Sequence, residues 1–126
     1  MKTPILHALA AVALAAALAG CAAVRHQPAE LTPAPDAAQK SLASSLDLRL
    51  NTGYERTLKA GSRWQRTGRI AQGAVYKPYQ DVFTVEGSHI HEAWLVVRDD
   101  GMLVGFYLPA ERGFSPLDPV VPISLN

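Results

Sequence analysis

Glycine punctuates the second half of this chain at short intervals, at Gly61, Gly68, Gly73, Gly87, Gly101 and Gly113, and the segments between are rich in Val, Ile, Tyr, Phe and Trp. Few of those segments are long enough for a helix, and glycine inside one costs about 1 kcal/mol relative to alanine. β-Branched and aromatic residues instead suit the pleated, half-buried surface of a sheet. The pattern predicts a mainly β domain, a small antiparallel barrel or sandwich. Strands are expected near Arg63 to Ile70, Ala74 to Lys77, Asp81 to Val85, His91 to Arg98, Met102 to Leu108 and Val120 to Leu125. An earlier one is expected from Leu46 to Leu50, where leucine alternates with Asp47 and Arg49 until Asn51-Thr52-Gly53 breaks the run. One short N-terminal helix is expected through Ala37 to Ser45, capped by Asp36, with Leu42 and Leu46 on one face.

The sharpest local expectation is a hairpin at Asp100-Gly101, a dipeptide that readily supplies the two positive φ angles of a type I′ turn. With Asp99 opposite Met102, Val97 faces Val104 and Leu95 faces Phe106 on one side, while Trp94 faces Tyr107 and Val96 faces Gly105 on the other. Both sides are apolar enough to need covering. The hairpin should therefore be central, with the short helix over one side.

The chain opens differently. Lys2 precedes an apolar run from Ile5 to Ala19, and fifteen residues at about 1.5 Å each reach roughly 22 Å, short of a ~30 Å hydrocarbon core. Such a run suits a secretory signal, cut after small residues, better than a membrane span. It closes on Leu18-Ala19-Gly20-Cys21, and Cys21 is the one cysteine in the chain. These residues resemble the lipobox of the bacterial lipoprotein class. The resemblance implies cleavage between Gly20 and Cys21, a diacylglyceryl group on the Cys21 sulfur and a further acyl chain on its new amino group. Two or three chains, at about 0.8 kcal/mol per buried methylene, anchor a small domain permanently. In Gram-negative members an aspartate after the cysteine favours the inner membrane. Ala22 stands there instead, which by the same resemblance implies the outer membrane, with the domain facing the periplasm. The ordinary alternative for Cys21 is a free thiol or half of an intermolecular disulfide.

Without residues 1–20 the chain has 106 residues, with eleven Lys and Arg against eleven Asp and Glu. A neutral chain does not fit a dedicated nucleic-acid binder. With Cys21 acylated it also has no cysteine for a disulfide, so its fold must rest on packing. From Cys21 to Ala37 the composition is small, polar and interrupted by Pro28, Pro33 and Pro35. That segment reads as a tether able to reach roughly 50 Å if extended, leaving residues 38–126 as the β domain.

Three features carry chemistry. Glu86, His89, His91 and Glu92 are the densest set of metal-ligand types; on a strand His89 and His91 share a face, as two imidazoles on one zinc require, and Glu92 points away. No third ligand is evident on that face, and a solvated strand entrance is the ordinary explanation of these residues. Charge is segregated, with seven basic residues (Arg49, Arg56, Lys59, Arg63, Arg66, Arg69 and Lys77) against Glu55 alone between positions 49 and 77. Seven acids against Arg98 and Arg112 follow between positions 78 and 118. Either basic strands pair with acidic ones across the sheet, or a basic face meets an anionic surface or acidic partner. Finally, Pro116 to Leu125 is too proline-rich for a helix or central strand, and reads as an edge strand or as an arm that augments a partner's sheet.

Enzyme signatures are missing. The sequence has no nucleophile elbow and no glycine-rich phosphate loop, and Ser88 adjoins His89 too closely for a triad. No cofactor is expected beyond the acyl groups on Cys21. The reading is a lipid-anchored binding or scaffolding module, partnered by another envelope protein, as an accessory of an envelope-spanning secretion or conjugation assembly. Its rivals are an independent ligand-binding or enzyme-inhibitor module and, third, a metal site at His89 and His91.

Overall fold

The alternation legible between Trp64 and Leu108 builds the frame. In a computed structural model, which describes residues 22–126, the chain is strand and turn throughout, with no helix among the described residues. The apolar leader, Gly20 and Cys21 lie outside the described residues. In chain order the strands are β1 (Gln27–Pro28), β2 (Thr32–Pro33), β3 (Gln39–Ser41), β4 (Leu46–Arg49), β5 (Glu55–Leu58) and β6 (Arg63–Ile70). They continue as β7 (Gly73–Pro78), β8 (Thr84–Glu86), β9 (Ile90–Glu92), β10 (Trp94–Val97), β11 (Met102–Leu108) and β12 (Gly113–Pro122). One curled antiparallel sheet of eight strands runs β1-β12-β11-β10-β7-β6-β2, with β3 also beside β6. Two separate ribbons, β4–β5 and β8–β9, complete the domain.

Apolar residues on both faces of the sheet require cover on both, and each face receives it. The larger core joins Trp64, Tyr76, Leu95, Leu103, Phe106 and Leu108 to Leu48 and Leu58 of one ribbon and Val85 of the other. A smaller core on the opposite face gathers Ile70, Val75, Val96, Val104, Tyr107 and Phe114. Two bulges let one strand serve both. Register slips between Arg66 and Gly68 of β6 against β7 and between Leu103 and Gly105 of β11 against β10, so Trp64 and Ile70, an even number apart, reach different cores. An extra residue in one strand flips the alternation beyond it.

The central hairpin pairs Trp94 with Tyr107, Leu95 with Phe106 and Val96 with Gly105, as the apolar pattern predicts. The bulge then sets Val97 opposite Leu103 instead of Val104. Consequently the turn is three residues long, with Arg98 and Gly101 N–H groups donating to the Met102 and Arg98 carbonyls and only Gly101 in the left-handed region, at φ 84°. This is the type I turn with a glycine bulge, not the expected type I′ turn.

Other expectations give way. The segment expected as a helix over Ala37 to Ser45 is extended: β3 lies along β6, and Leu42 bridges Leu125 while only 2% exposed. Its amides bond the Ser62, Ser124 and Asn126 carbonyls, a tertiary supply that outweighs a weak local helix preference. The strand expected over His91 to Arg98 is split at Ala93, whose N–H donates to the Phe83 carbonyl and carries the chain from ribbon to sheet. The strand expected over Asp81 to Val85 starts late, at Thr84, after a loop. At the C-terminus pairing starts at Gly113, seven residues before the expected Val120, and is internal, so the chain does not present a free arm there. Beyond Phe114 no strand pairs with the outer side of β12 among the described residues, so Pro116 and Pro119 break no ladder.

Largest of these corrections is the tether. Its segment is laid on the domain from Ala22 onward: Ala22 bonds Ser88 beside the β8–β9 ribbon, β1 pairs with β12, β2 with β6, and the Ala34 and Asp36 amides bond the Thr67 and Arg66 carbonyls at 3.3 and 3.2 Å. Ala29 and Leu31 pack on the smaller core, the cover expected from a helix. Val24 enters the larger one, 7% exposed. The two-residue strands β1 and β2 occupy opposite edges of the sheet although only Ala29, Glu30 and Leu31 separate them. Those residues reach about 14 Å, whereas seven flat strands would set the edges about 29 Å apart. The strap thus holds the sheet curled.

Candidate binding surface

After β7 the chain leaves the sheet at Pro78 and enters the β8–β9 ribbon at Thr84, and the loop between is built to stand out. Tyr79 N–H donates to the Arg63 carbonyl at 2.9 Å. Gln80 follows in the left-handed region at φ 51°, which a non-glycine residue adopts at some cost. The Asp81 carboxylate accepts the Val82 N–H at 2.8 Å, closing the turn locally. Phe83 then re-enters the core at 6% exposure, edge-on to Trp64 at 5.9 Å and tilted against Phe106 at 5.8 Å. Between these fixed points Val82 is thrust into solvent, 66% exposed.

A shallow cleft opens on each side of Val82. The wider, about 390 Å³, has Gln65, Lys77, Glu92 and Trp94 as its far wall. The narrower, about 240 Å³, is walled by Arg56, Leu58, Lys59, Arg63 and Trp64. The Arg56 guanidinium lies 5.1 Å from the Phe83 ring centre and 3.8 Å from Glu86. Glu92 accepts the Trp94 indole N–H at 3.1 Å, so one wall of the wider cleft is fixed as well. Apolar knob, aromatic floor and flanking cations form a surface suited to an extended polypeptide. Small-molecule sites are more enclosed.

The seven basic residues do not form one face. Arg56, Lys59 and Arg63 border the narrower cleft and Lys77 the wider one. Arg66 and Arg69 share a separate depression with Lys40 and Arg98, while Arg49 stands opposite Glu55 in the β4–β5 ribbon. Two ion pairs join the basic stretch to the acidic one, Arg56–Glu86 and Arg69–Asp99, but neither links neighbouring strands of a sheet: Arg56 and Glu86 lie on separate ribbons, and Asp99 is in the turn after β10, with β7 between β10 and β6.

His89 and His91 also part company. β9 begins at Ile90, so His89 belongs to the turn, exposed, its carbonyl accepting the Gly87 N–H, and strand alternation does not reach it. His91 turns inward, Nδ1 2.7 Å from Glu111 Oε1 and its ring 6.5 Å from that of His26. No three His, Cys, Asp or Glu side chains gather at metal-binding spacing among the described residues. The Val82 loop was not legible as a site, because Val82-Phe83-Thr84-Val85 reads as an ordinary strand. Gln80-Asp81 was the one available sign of a turn.

Set against models of protein families, curated proteins and solved structures, the chain matches none.

Proposed function

We propose that this chain is a lipid-anchored protein of the bacterial envelope whose β domain binds another envelope protein, seating an extended partner segment along the Val82 loop. Support for the anchor comes from Leu18-Ala19-Gly20-Cys21 closing an apolar run of signal-peptide length. The binding role is carried by one observation: a valine two-thirds exposed, held there by a fixed loop between two clefts. Large apolar side chains so displayed, ringed by polar groups, mark protein contacts. Lys59, Arg63 and Lys77 around it favour a segment that carries carboxylates, and would speed its capture at low salt. No chemistry on the substrate is required by this reading.

A photoreactive amino acid at Val82, introduced in living cells, should give a discrete crosslinked band that the same group at Val120, which is also exposed, does not. Equal or absent crosslinking at both positions sinks the binding surface. Cys21→Ser separately tests the anchor: the variant should neither incorporate labelled palmitate nor fractionate with membranes.

A further inference from the structure

We propose that the end of the domain formed by the Gly87–His89 turn and the neighbouring Asn51–Tyr54 turn lies directly on the lipid bilayer, with Ile90 and Tyr54 set into its headgroup layer. The inference rests on acylation of Cys21 and deepens that reading, from the presence of an anchor to the orientation of what it holds.

Ala22 is bonded to Cys21 and is already fixed to the domain. Its carbonyl accepts the Ser88 N–H at 3.0 Å, and two residues on Val24 is buried in the larger core. Gly87 shows how close the contact is, since a Cβ there would lie 2.8 Å from the Ala22 carbonyl oxygen and 2.9 Å from the Val24 nitrogen. Only glycine fits. Consecutive Cα atoms are about 3.8 Å apart, so acyl chains on residue 21 enter a membrane within a few ångströms of the Gly87–His89 turn. With no slack between them, the domain cannot swing away from the surface.

What stands at that end suits a lipid interface. Ile90 pairs with Glu86 across the β8–β9 ribbon and is 71% exposed, the highest value among the large apolar side chains described. The Glu86 carbonyl accepts the Thr52 hydroxyl at 2.6 Å, which ties the Asn51–Tyr54 turn to the ribbon, and its carboxylate faces Arg56. Tyr54 ends that turn, its carbonyl accepting the Leu50 N–H at 2.8 Å, two residues before Arg56. Tyr54 is half exposed. A tyrosine beside an aliphatic residue favours the boundary between headgroups and acyl chains, where the ring is dry and the hydroxyl wet. Arg25, exposed three residues beyond the anchored end, adds a cation for anionic headgroups.

The absence of any other cysteine makes the test direct. In the full acylated protein, Ile90→Cys and, separately, Asp99→Cys each supply a single free thiol for an environment-sensitive dye. β10 carries the chain away from Ala93, where the β8–β9 ribbon ends, through Val97 to the Asp99 turn, and the four residues from Ala93 to Val97 alone span about 13 Å along the sheet. The protein is placed in phosphatidylethanolamine–phosphatidylglycerol vesicles containing brominated phospholipid. Quenching of about twofold or more is expected at position 90, with little at position 99. A flexible Gly-Ser spacer between Cys21 and Ala22 should return position 90 to the level of position 99. Equal quenching at both sites in palmitate-labelled protein overturns the apposition alone. So does a label at position 90 that is shielded from aqueous iodide yet unquenched by brominated lipid, which would mean that protein covers this end. A chain that takes up no palmitate overturns the anchor and the apposition together.

Discussion

The β10–β11 hairpin and the strap from Ala22 to Asp36 are fastened to the same sheet by different forces. In the hairpin the fastening is by side chains: Leu95, Val96, Leu103 and Leu108 are wholly buried, and Phe106 is 2% exposed at the centre of the larger core. Each such residue contributes roughly 1.5–3 kcal/mol by leaving water. The strap places Val24 in that core and leans Ala29 and Leu31 on the smaller one, but most of its attachments are main-chain hydrogen bonds near the surface. Each contributes about 1 kcal/mol net. A hairpin so packed comes apart only when the domain unfolds, whereas a strap so held can open by itself.

Substitutions should separate these behaviours. Phe106→Ala leaves a void among Phe83, Leu95 and Leu117 and should cost about 3–5 kcal/mol, read as a lower denaturation midpoint for the whole domain. Gly105→Ala is next: its Cβ would stand 2.2 Å from the Ser115 carbonyl oxygen and 2.8 Å from the Phe114 ring, so β11 and β12 must part at their closest approach. A loss of about 1–3 kcal/mol is expected, again global. Gly68→Ala puts a methyl 2.5 Å from the Thr32 carbonyl oxygen and 2.9 Å from Leu31, which dislodges the strap while leaving the hairpin intact. Hydrogen exchange at the Ala34 and Asp36 amides should accelerate with little change in the global midpoint. If instead the whole sheet melts, the strap is not a separate unit.

Asp100→Asn should have the smallest effect. Arg98 donates hydrogen bonds of 2.8–3.0 Å to the Asp100 carboxylate, and these, more than the charge itself, hold the carboxyl below its ordinary range. A carboxyl lowered by folding stabilises the fold above its unfolded pKa, and the contribution fades as pH falls through the folded value. Wild type and variant should therefore differ slightly at neutral pH and converge in acid. Both groups are exposed, so solvent screening keeps the difference small.

The same contrast explains what the residues disclosed in advance. Strand β6, strand β11 and the pairing of Trp94, Leu95 and Val96 were readable because side-chain alternation reports directly on two buried faces. The two bulges were not, since one unpaired residue leaves no mark on composition, and the hairpin turn changed type with the second of them. The strap resembles a tether in sequence for a related reason. Its attachments are backbone groups, which every residue but proline carries alike, and its prolines sit where no donor is needed. For the candidate site, residue identity gave Arg56, Lys59 and Arg63 but not their gathering around Val82, which depends on a ribbon folding over a loop distant in sequence. His89 and His91 failed as a pair because the strand begins between them.

The strap's position at both margins of the sheet bears on how the protein keeps company with itself. An unpaired β edge is a template for another chain. Here the first and last strands in sheet order are both two-residue pieces ending in proline, Pro28 and Pro33, with Pro116, Pro119 and Pro122 along the uncovered side of β12. None offers an N–H to an incoming strand. The composition that resembles slack chain thus works as a stop at each margin, and losing the strap should make the domain prone to self-association.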